Sequence, residues 1–279
     1  MANETTSSTI SELYTEIVAE ALFVAQEQSI MRGLVKNYTI AGGGKSVEVP
    51  IYANVSAAAV SEASDLSNTA VNPSSVTITA SEIGIMTTLT DLARNSASRN
   101  VAADIGKLFG EAIATKIDTD LAALFTGFST EKGPGAGSEI TVQDLFECSA
   151  ELKTNKAPGP YYGVFHPKQI FNVKKSLTNT FVGRDTELSN EAMRTGFVGN
   201  VAGIQIFETS NIAVDGSDDS IGGVFSQDAL GLAMMQDLKI ESQRDASLRA
   251  DEIVATAVFG VGELHDSYGV KITADTLAA

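Results

Sequence analysis

The chain has 279 residues, 35 acidic and 19 basic, for a net charge of −16, and 43% of it is hydrophobic. That length and apolar content fit one large domain or two modest ones with ample core, and they argue against disorder. A single cysteine, Cys148, excludes an internal disulfide framework and a multi-thiolate metal site, and the acidic surplus argues against a nucleic-acid reader, which needs lysine and arginine to neutralise phosphates.

The same surplus is compatible with a surface that must avoid sticking to DNA. Met1–Ile10 has no basic stretch followed by an apolar run, so it does not read as a secretory signal. The longest apolar runs, such as Ile253–Val261, fall far short of the ~20 residues of a membrane helix. The expectation is a protein kept in a reducing, soluble compartment with no membrane partner.

In chain order, Thr9 and Glu12 fit a capping box, and Leu13, Ile17, Ala21, Leu22, Val24 and Ala25 recur at helical spacing, predicting a helix from Thr9 to Met31 closed by Gly33. It reads equally well as a core helix or as a partner-binding arm. Val47, Val49 and Ile51 alternate, as do Val76, Ile78 and Ala80, predicting two strand arms facing each other. Between them Ala53–Ser75 holds 23 residues, six of them Ala and six Ser. A segment so poor in large apolar groups cannot bury a core, and structureless loops beyond about 12–15 residues are uncommon inside a compact domain. The reading favoured here is that it lies across a neighbouring subunit.

Val101, Ile105, Leu108, Phe109, Ala112, Ile113, Ile117, Leu121, Leu124 and Phe125 form a helical stripe from Ser98 to Thr126. Such a helix would span roughly 44 Å, a strut rather than an average helix. Gly133-Pro134-Gly135-Ala136-Gly137 reads as a hinge. Beyond it come a helix over about Thr141–Thr154, a strand over Tyr161–Phe165, and a helix opened by Pro167 and reaching Leu177. Strand signals follow at Ile204–Phe207, Val224–Phe225 and Leu230–Met234. A further strand starts at Leu238 and Ile240, and the last two cover Ile253–Val261 and Tyr268–Ile272. The arms around Val49 and Ile78 are the candidate partners of those last two, which makes residues 140–237 an insertion in a discontinuous first domain.

Charge is unevenly placed. Ser46–Ala93 has no Lys or Arg against Glu48, Glu62, Asp65, Glu82 and Asp91. Thr195–Leu238 has none against Glu208, Asp215, Asp218, Asp219, Asp228 and Asp237. Either these are chance gaps, or these surfaces meet basic surfaces on another chain or face an anionic polymer they must not bind.

No catalytic constellation emerges. Gly42-Gly43-Gly44-Lys45-Ser46 has Thr39 where a phosphate loop needs its first glycine, and a strand follows where a helix is required. Gly260-Val261-Gly262 has His265 where a dinucleotide fingerprint needs its third glycine. Asp215–Asp219 lacks the alternating ligands of a calcium loop, and His166 and His265 have no metal-like spacing. Cys148 sits in the helix of Leu145 and Leu152 and reads as a small buried hydrophobe.

The order of helical arm, long hairpin, strut helix, α/β insertion and returning strands resembles the major capsid protein of tailed bacteriophages, whose fold is shared with encapsulin shells and the herpesvirus capsid floor. Three blocks carry the likeness: Tyr162–Pro167 leading into a helix, Phe197–Phe207 with its glycine then strand, and Ile221–Ala233 followed by Leu238–Asp245. It covers essentially residues 10–275. Gln205 departs from the family's usual proline, and a loop without lysine makes the crosslink of some relatives doubtful.

The resemblance implies an α+β fold with an N-terminal arm over 1–43 and an extended loop over 44–90. It also implies a peripheral domain over 91–139 and 238–279, and an axial domain over 140–237. It implies a structural, non-enzymatic protein without cofactors that forms pentamers and hexamers of an icosahedral shell around double-stranded DNA. The chain would be located in the virion and assembled in the host cytoplasm, with a portal as partner, decoration proteins as optional ones, and either a separate scaffold protein or an N-terminus that has already been processed. Candidate inter-subunit contacts are Val55, Val60, Glu62, Asp65, Leu66 and Val71 in the loop, with Arg94, Arg99, Arg244 and Arg249. An encapsulin-type compartment and, remotely, an acidic α/β enzyme with a flexible flap are the alternatives.

Overall fold

The computed structural model describes residues 29–41, 44–52, 55, 57, 59, 60, 65, 70–96, 101–181 and 199–276. The helix expected over Thr9–Met31 lies almost wholly outside them. The described chain enters through a 3₁₀ turn, Met31–Gly33, and continues into strand β1 (Lys36–Thr39). Strands β2 (Ser46–Ile51) and β3 (Ser74–Thr79) are the two expected arms, paired antiparallel from Ser46↔Thr79 to Ile51↔Ser74. Strand β4 (Ser81–Thr90) follows, then a short helix α1 (Asp91–Ser96).

The strut is helix α2 (Val101–Ala123), and its last turn tightens into a 3₁₀ turn at Leu124–Gly127. Phe109, Ile113, Ile117 and Leu121 repeat every four residues, and all are at most 4% exposed. One face of the helix is therefore continuous core. Helix α3 (Val142–Thr154) starts where Asp144 accepts the Thr141 backbone N–H at 2.7 Å and the Thr141 hydroxyl at 2.8 Å. Strand β5 is Tyr161–Phe165, and Pro167, whose missing N–H costs nothing in a first turn, opens helix α4 (Pro167–Phe181). The remaining strands are β6 (Asn200–Val201), β7 (Ile204–Glu208), β8 (Asp219–Ser226), β9 (Leu230–Asp245), β10 (Ala250–Glu263) and β11 (Gly269–Asp275).

Two larger sheets organise the chain. One has the order β1-β9-β10-β4, the other β11-β8-β5-β7-β6. In the first, Ile253, Ala255, Ala257 and Phe259 of β10 alternate onto the face that meets Phe109, Ile113, Ile117 and Leu121 of α2. In the second, neighbouring residues point to opposite faces. Phe165 and Val224 join Leu145, Leu152, Ile170 and Val173 of the α3–α4 layer, whereas Val164 and Phe225 join Phe125 and Phe128 at the end of the strut. The Phe125 and Phe225 rings, 5.5 Å apart, stitch the sheet to the strut.

Strand pairing corrects the expected organisation at three points. Strand β9 runs unbroken through position 238, and Gly231–Met234 pairs with both β1 and β10, so the apolar run Leu230–Ala233 is a central strand of the first sheet. The partners of β10 are β9 and β4 rather than the loop arms, which places Ser81–Thr90 in that sheet and outside the free part of the loop. Strand β11 pairs with β8 and belongs to the second sheet, not with the rest of 238–279.

Candidate assembly surfaces

The extended hairpin is anchored at its base. Ile78 is 1% exposed and packs with Ile40, Val49, Ala80, Ala233 and Leu264. Glycines make the socket: a Cβ on Gly231 or Gly262 would stand 2.9 Å from the Ile78 side chain, and one on Gly260 would stand 2.3 Å from the Thr79 carbonyl oxygen. The Gly260–Gly262 stretch that fails as a dinucleotide fingerprint thus lets the hairpin backbone lie directly on β10. The Ala80 N–H donates to the Lys45 carbonyl at 2.7 Å and closes the base.

Beyond that base the chain offers apolar groups to solvent. Val55, Val60 and Val71 are about half exposed or more, as is Tyr52, and Asp65 is exposed as well. The candidates Glu62 and Leu66 lie outside the described residues. A cleft of about 270 Å³ opens beside the base, lined by Tyr38 and Lys36 of β1, Pro50 and Tyr52, and by His265 and Tyr268.

A second surface forms at the far tip of the β9–β10 hairpin. Arg244 donates to Asp91 at 2.8 and 2.5 Å and to Asp251 at 3.1 Å, a bidentate clamp between β9, β10 and α1 that raises its pKa, chiefly through the Asp91 hydrogen bond. Its charge is shared with two carboxylates of its own subunit. Arg249, in contrast, is exposed on the turn with φ 50°, and its carbonyl accepts the Asp91 N–H at 3.0 Å.

The turn itself is held by Asp245, which accepts Ser247 Oγ at 2.6 Å, Ser247 N–H at 2.8 Å and Leu248 N–H at 3.2 Å. Those bonds, led by the Ser247 hydroxyl, keep its carboxyl below the ordinary range. Leu92, 79% exposed, and Leu248, 57% exposed, give this tip an apolar crest. Three of the four candidate arginines share the region through α1, which carries Arg94; the Arg94 side chain and Arg99 lie outside what the structure describes.

A third place went unread in the sequence. Asp118 of α2 is 1% exposed and accepts Ser29 Oγ at 2.7 Å, Ile30 N–H at 3.1 Å and Met31 N–H at 3.2 Å. Burial pushes its carboxyl up, partly offset by those bonds and one from Asn211. Between Thr115 and Thr119 on a polar-looking stretch, this aspartate has no signal that distinguishes it from a solvated one.

The segment after the strut meets the turn between β10 and β11 through Asp266, which accepts from the Ser129 N–H at 2.7 Å and from its hydroxyl. Burial pushes the Asp266 carboxyl up, but the Ser129 bonds outweigh it and leave it low, while Glu263 is raised by burial and by the nearby Asp266 charge. Cys148 is fully buried, and burial with nearby Asp144 and Glu147 pushes its thiol up to about 12, far from a nucleophile. Burial lowers both His166 and His265. Among the described residues no three His, Cys, Asp or Glu side chains gather as a metal site, and no helix is long and apolar enough to cross a membrane.

A family model described as phage capsid protein matches residues 73–272. The capsid of cyanophage P-SCSP1u superposes with a TM-score of 0.69 at 20% identity, covering 88% of each chain. A structure from Mycobacterium phage Che8 gives 0.65 at 20% identity, over 82% of this chain and 84% of the other. A virus-like particle from Pyrococcus furiosus gives 0.63 at 12% identity, over 92% and 98%. At these identities the likeness is one of fold. No curated protein matches the sequence.

Proposed function

The chain belongs to the phage capsid protein family, and from that membership we propose how its surfaces build a shell. Its fold is the α+β tailed-phage capsid fold, and it is a structural major capsid protein of a virion. In the reading advanced here, copies close into pentamers and hexamers of an icosahedral shell around double-stranded DNA. The axial unit, essentially the β11-β8-β5-β7-β6 sheet with α3 and α4, gathers at the local symmetry axes. The hairpin tip of β9–β10 meets its equivalents, and the loop beyond β2 and β3 lies over the adjacent subunit. Assembly takes place in the host cytoplasm with a separate scaffold protein, and the completed shell carries a portal and decoration proteins.

The observation that supports the loop's role is its division into two parts. Ile78 and the glycines of β9 and β10 fix the base, while Val55, Val60 and Val71 stand exposed with no core of their own to enter. A hairpin so arranged reaches outward without loosening the subunit. Deleting Ala53–Ser75 is therefore expected to leave a folded, soluble subunit that forms no closed shells in negative-stain images; normal shells from the deletion would refute the inter-subunit role. Nucleic acid in native particles, read by absorbance and nuclease protection, is expected to be double-stranded DNA. Particles holding only protein cargo would contradict the packaging reading.

A further inference from the structure

The turn at the tip of the β9–β10 hairpin carries two charges of opposite sign that do not meet each other. Asp245 takes the Ser247 N–H, the Ser247 hydroxyl and the Leu248 N–H all on Oδ1, and among the described residues no hydrogen bond reaches its Oδ2. Arg249, four residues on, is exposed. The ion pairs at this tip belong to Arg244, and among the described residues none includes Asp245 or Arg249. Arg249 also stands at φ 50°, a left-handed backbone that glycine adopts freely and a residue with a Cβ does not. The turn alone gives no reason for a long cation there, which points to a task outside it.

We propose that this turn is a self-complementary contact, in which Arg249 of one copy pairs with Asp245 Oδ2 of the next around a local symmetry axis. The inference rests on the reading that the hairpin tips meet their equivalents, and it names the groups that hold them. Copies related by rotation present the same turn, so a turn of a single sign would repel its neighbours. A turn with an acceptor and a fork of donors side by side gives to one neighbour and takes from the other, and the pairing repeats around the axis until the ring closes. The exposed Leu248 adjoins Arg249, and its burial in the contact strengthens the pair by excluding water. The partner is a second copy of this chain because the two unpaired charges already match each other.

The test reads the concentration of full-length protein at which shells appear in negative-stain images, with urea unfolding to check that each variant is folded. Arg249→Glu sets a carboxylate against the neighbour's acid and should raise that concentration about threefold or more. Asp245→Asn keeps a carbonyl oxygen for the Ser247 and Leu248 donors, so the turn stays, but it offers Arg249 an amide donor and should raise the concentration as well. Combined, the two changes set an amide donor against a carboxylate. Asp245→Asn, harmful on its own, should therefore lower the concentration in the Arg249→Glu background. Should Arg249→Glu fail to fold, Arg249→Ala takes its place, and Asp245→Asn should then add nothing to it. Shells from the Arg249 variants at the parent's concentration, as expected if the tip seats a different protein, would overturn the proposal, and so would effects of the two changes that simply add. Both results leave the shell reading standing, whereas a parent that forms no shells contradicts that reading and the pair with it.

Discussion

At Gly260 the effect of a single added carbon can be argued from one distance. Its Cβ would stand 2.3 Å from the Thr79 carbonyl oxygen, a backbone atom that no rotamer change can move. Gly260→Ala should destabilise the subunit by about 1–3 kcal/mol in urea unfolding, whereas Gly216→Ala, with nothing within 4 Å, should stay within about 0.5 kcal/mol. Equal effects would remove the glycine socket from the account. Asp245 carries a pH prediction. Its folded-state carboxyl lies below the ordinary 3.8, so its contribution to the turn is fully present above 3.8 and is lost as pH falls through the folded value. An NMR titration should place its midpoint below 3.8, and Ser247→Ala should move it upward; a midpoint unmoved by that change would show the Ser247 hydroxyl to be irrelevant. Gly260, Gly262 and Asp118 carry no local signal of their roles in the sequence. Gly260 and Gly262 acquire a purpose only from Ile78, some 180 residues earlier, and Asp118 only from Ser29.

Elements were more legible than their partnerships. The arms over Ser46–Ile51 and Ser74–Thr79 follow from alternation, and the strut follows from its four-residue apolar repeat, since local periodicity writes itself into side-chain choice. Period-two patterning does not say which strand lies alongside, so the loop arms stand as candidate partners of β11, which pairs instead with β8. The two strands expected at Leu230–Met234 and from Leu238 are one strand, β9, whose stretch between them is a half-exposed continuation along which register shifts near Val258 take up the irregularity. At this scale the proposed contact at the tip of the β9–β10 hairpin can be tested apart from folding. Leu92 and Leu248 touch solvent, so Leu92→Ser with Leu248→Ser should change subunit stability by less than about 1 kcal/mol yet raise the protein concentration at which shells appear. Assembly at the parent's concentration would exclude the crest as a contact. Ile117→Ala, at a position 3% exposed, should instead cost about 2–5 kcal/mol before assembly is reached.

For the molecule as a whole the informative quantity is where the −16 goes. Several described cations are already engaged inside the subunit: Arg32 with Asp237, Lys36 with Asp228, Lys132 with Glu151, Lys175 with Glu139, and Arg244 with Asp91 and Asp251. The uncompensated surplus is acidic, which suits the proposed role of a wall that encloses DNA without gripping it. Purified subunits should therefore leave duplex DNA unshifted in gels at roughly 0.15 M salt, where weak repulsion is screened but cationic binding would persist. A retarded band would contradict the wall. The central claim is that identical copies of this chain close on themselves into a shell, and negative-stain microscopy of the purified protein reads it most directly. Closed shells, or the hexamers and curved sheets from which they form, are the predicted result. A field of monodisperse monomers across the concentrations and salts that support related capsids would contradict it.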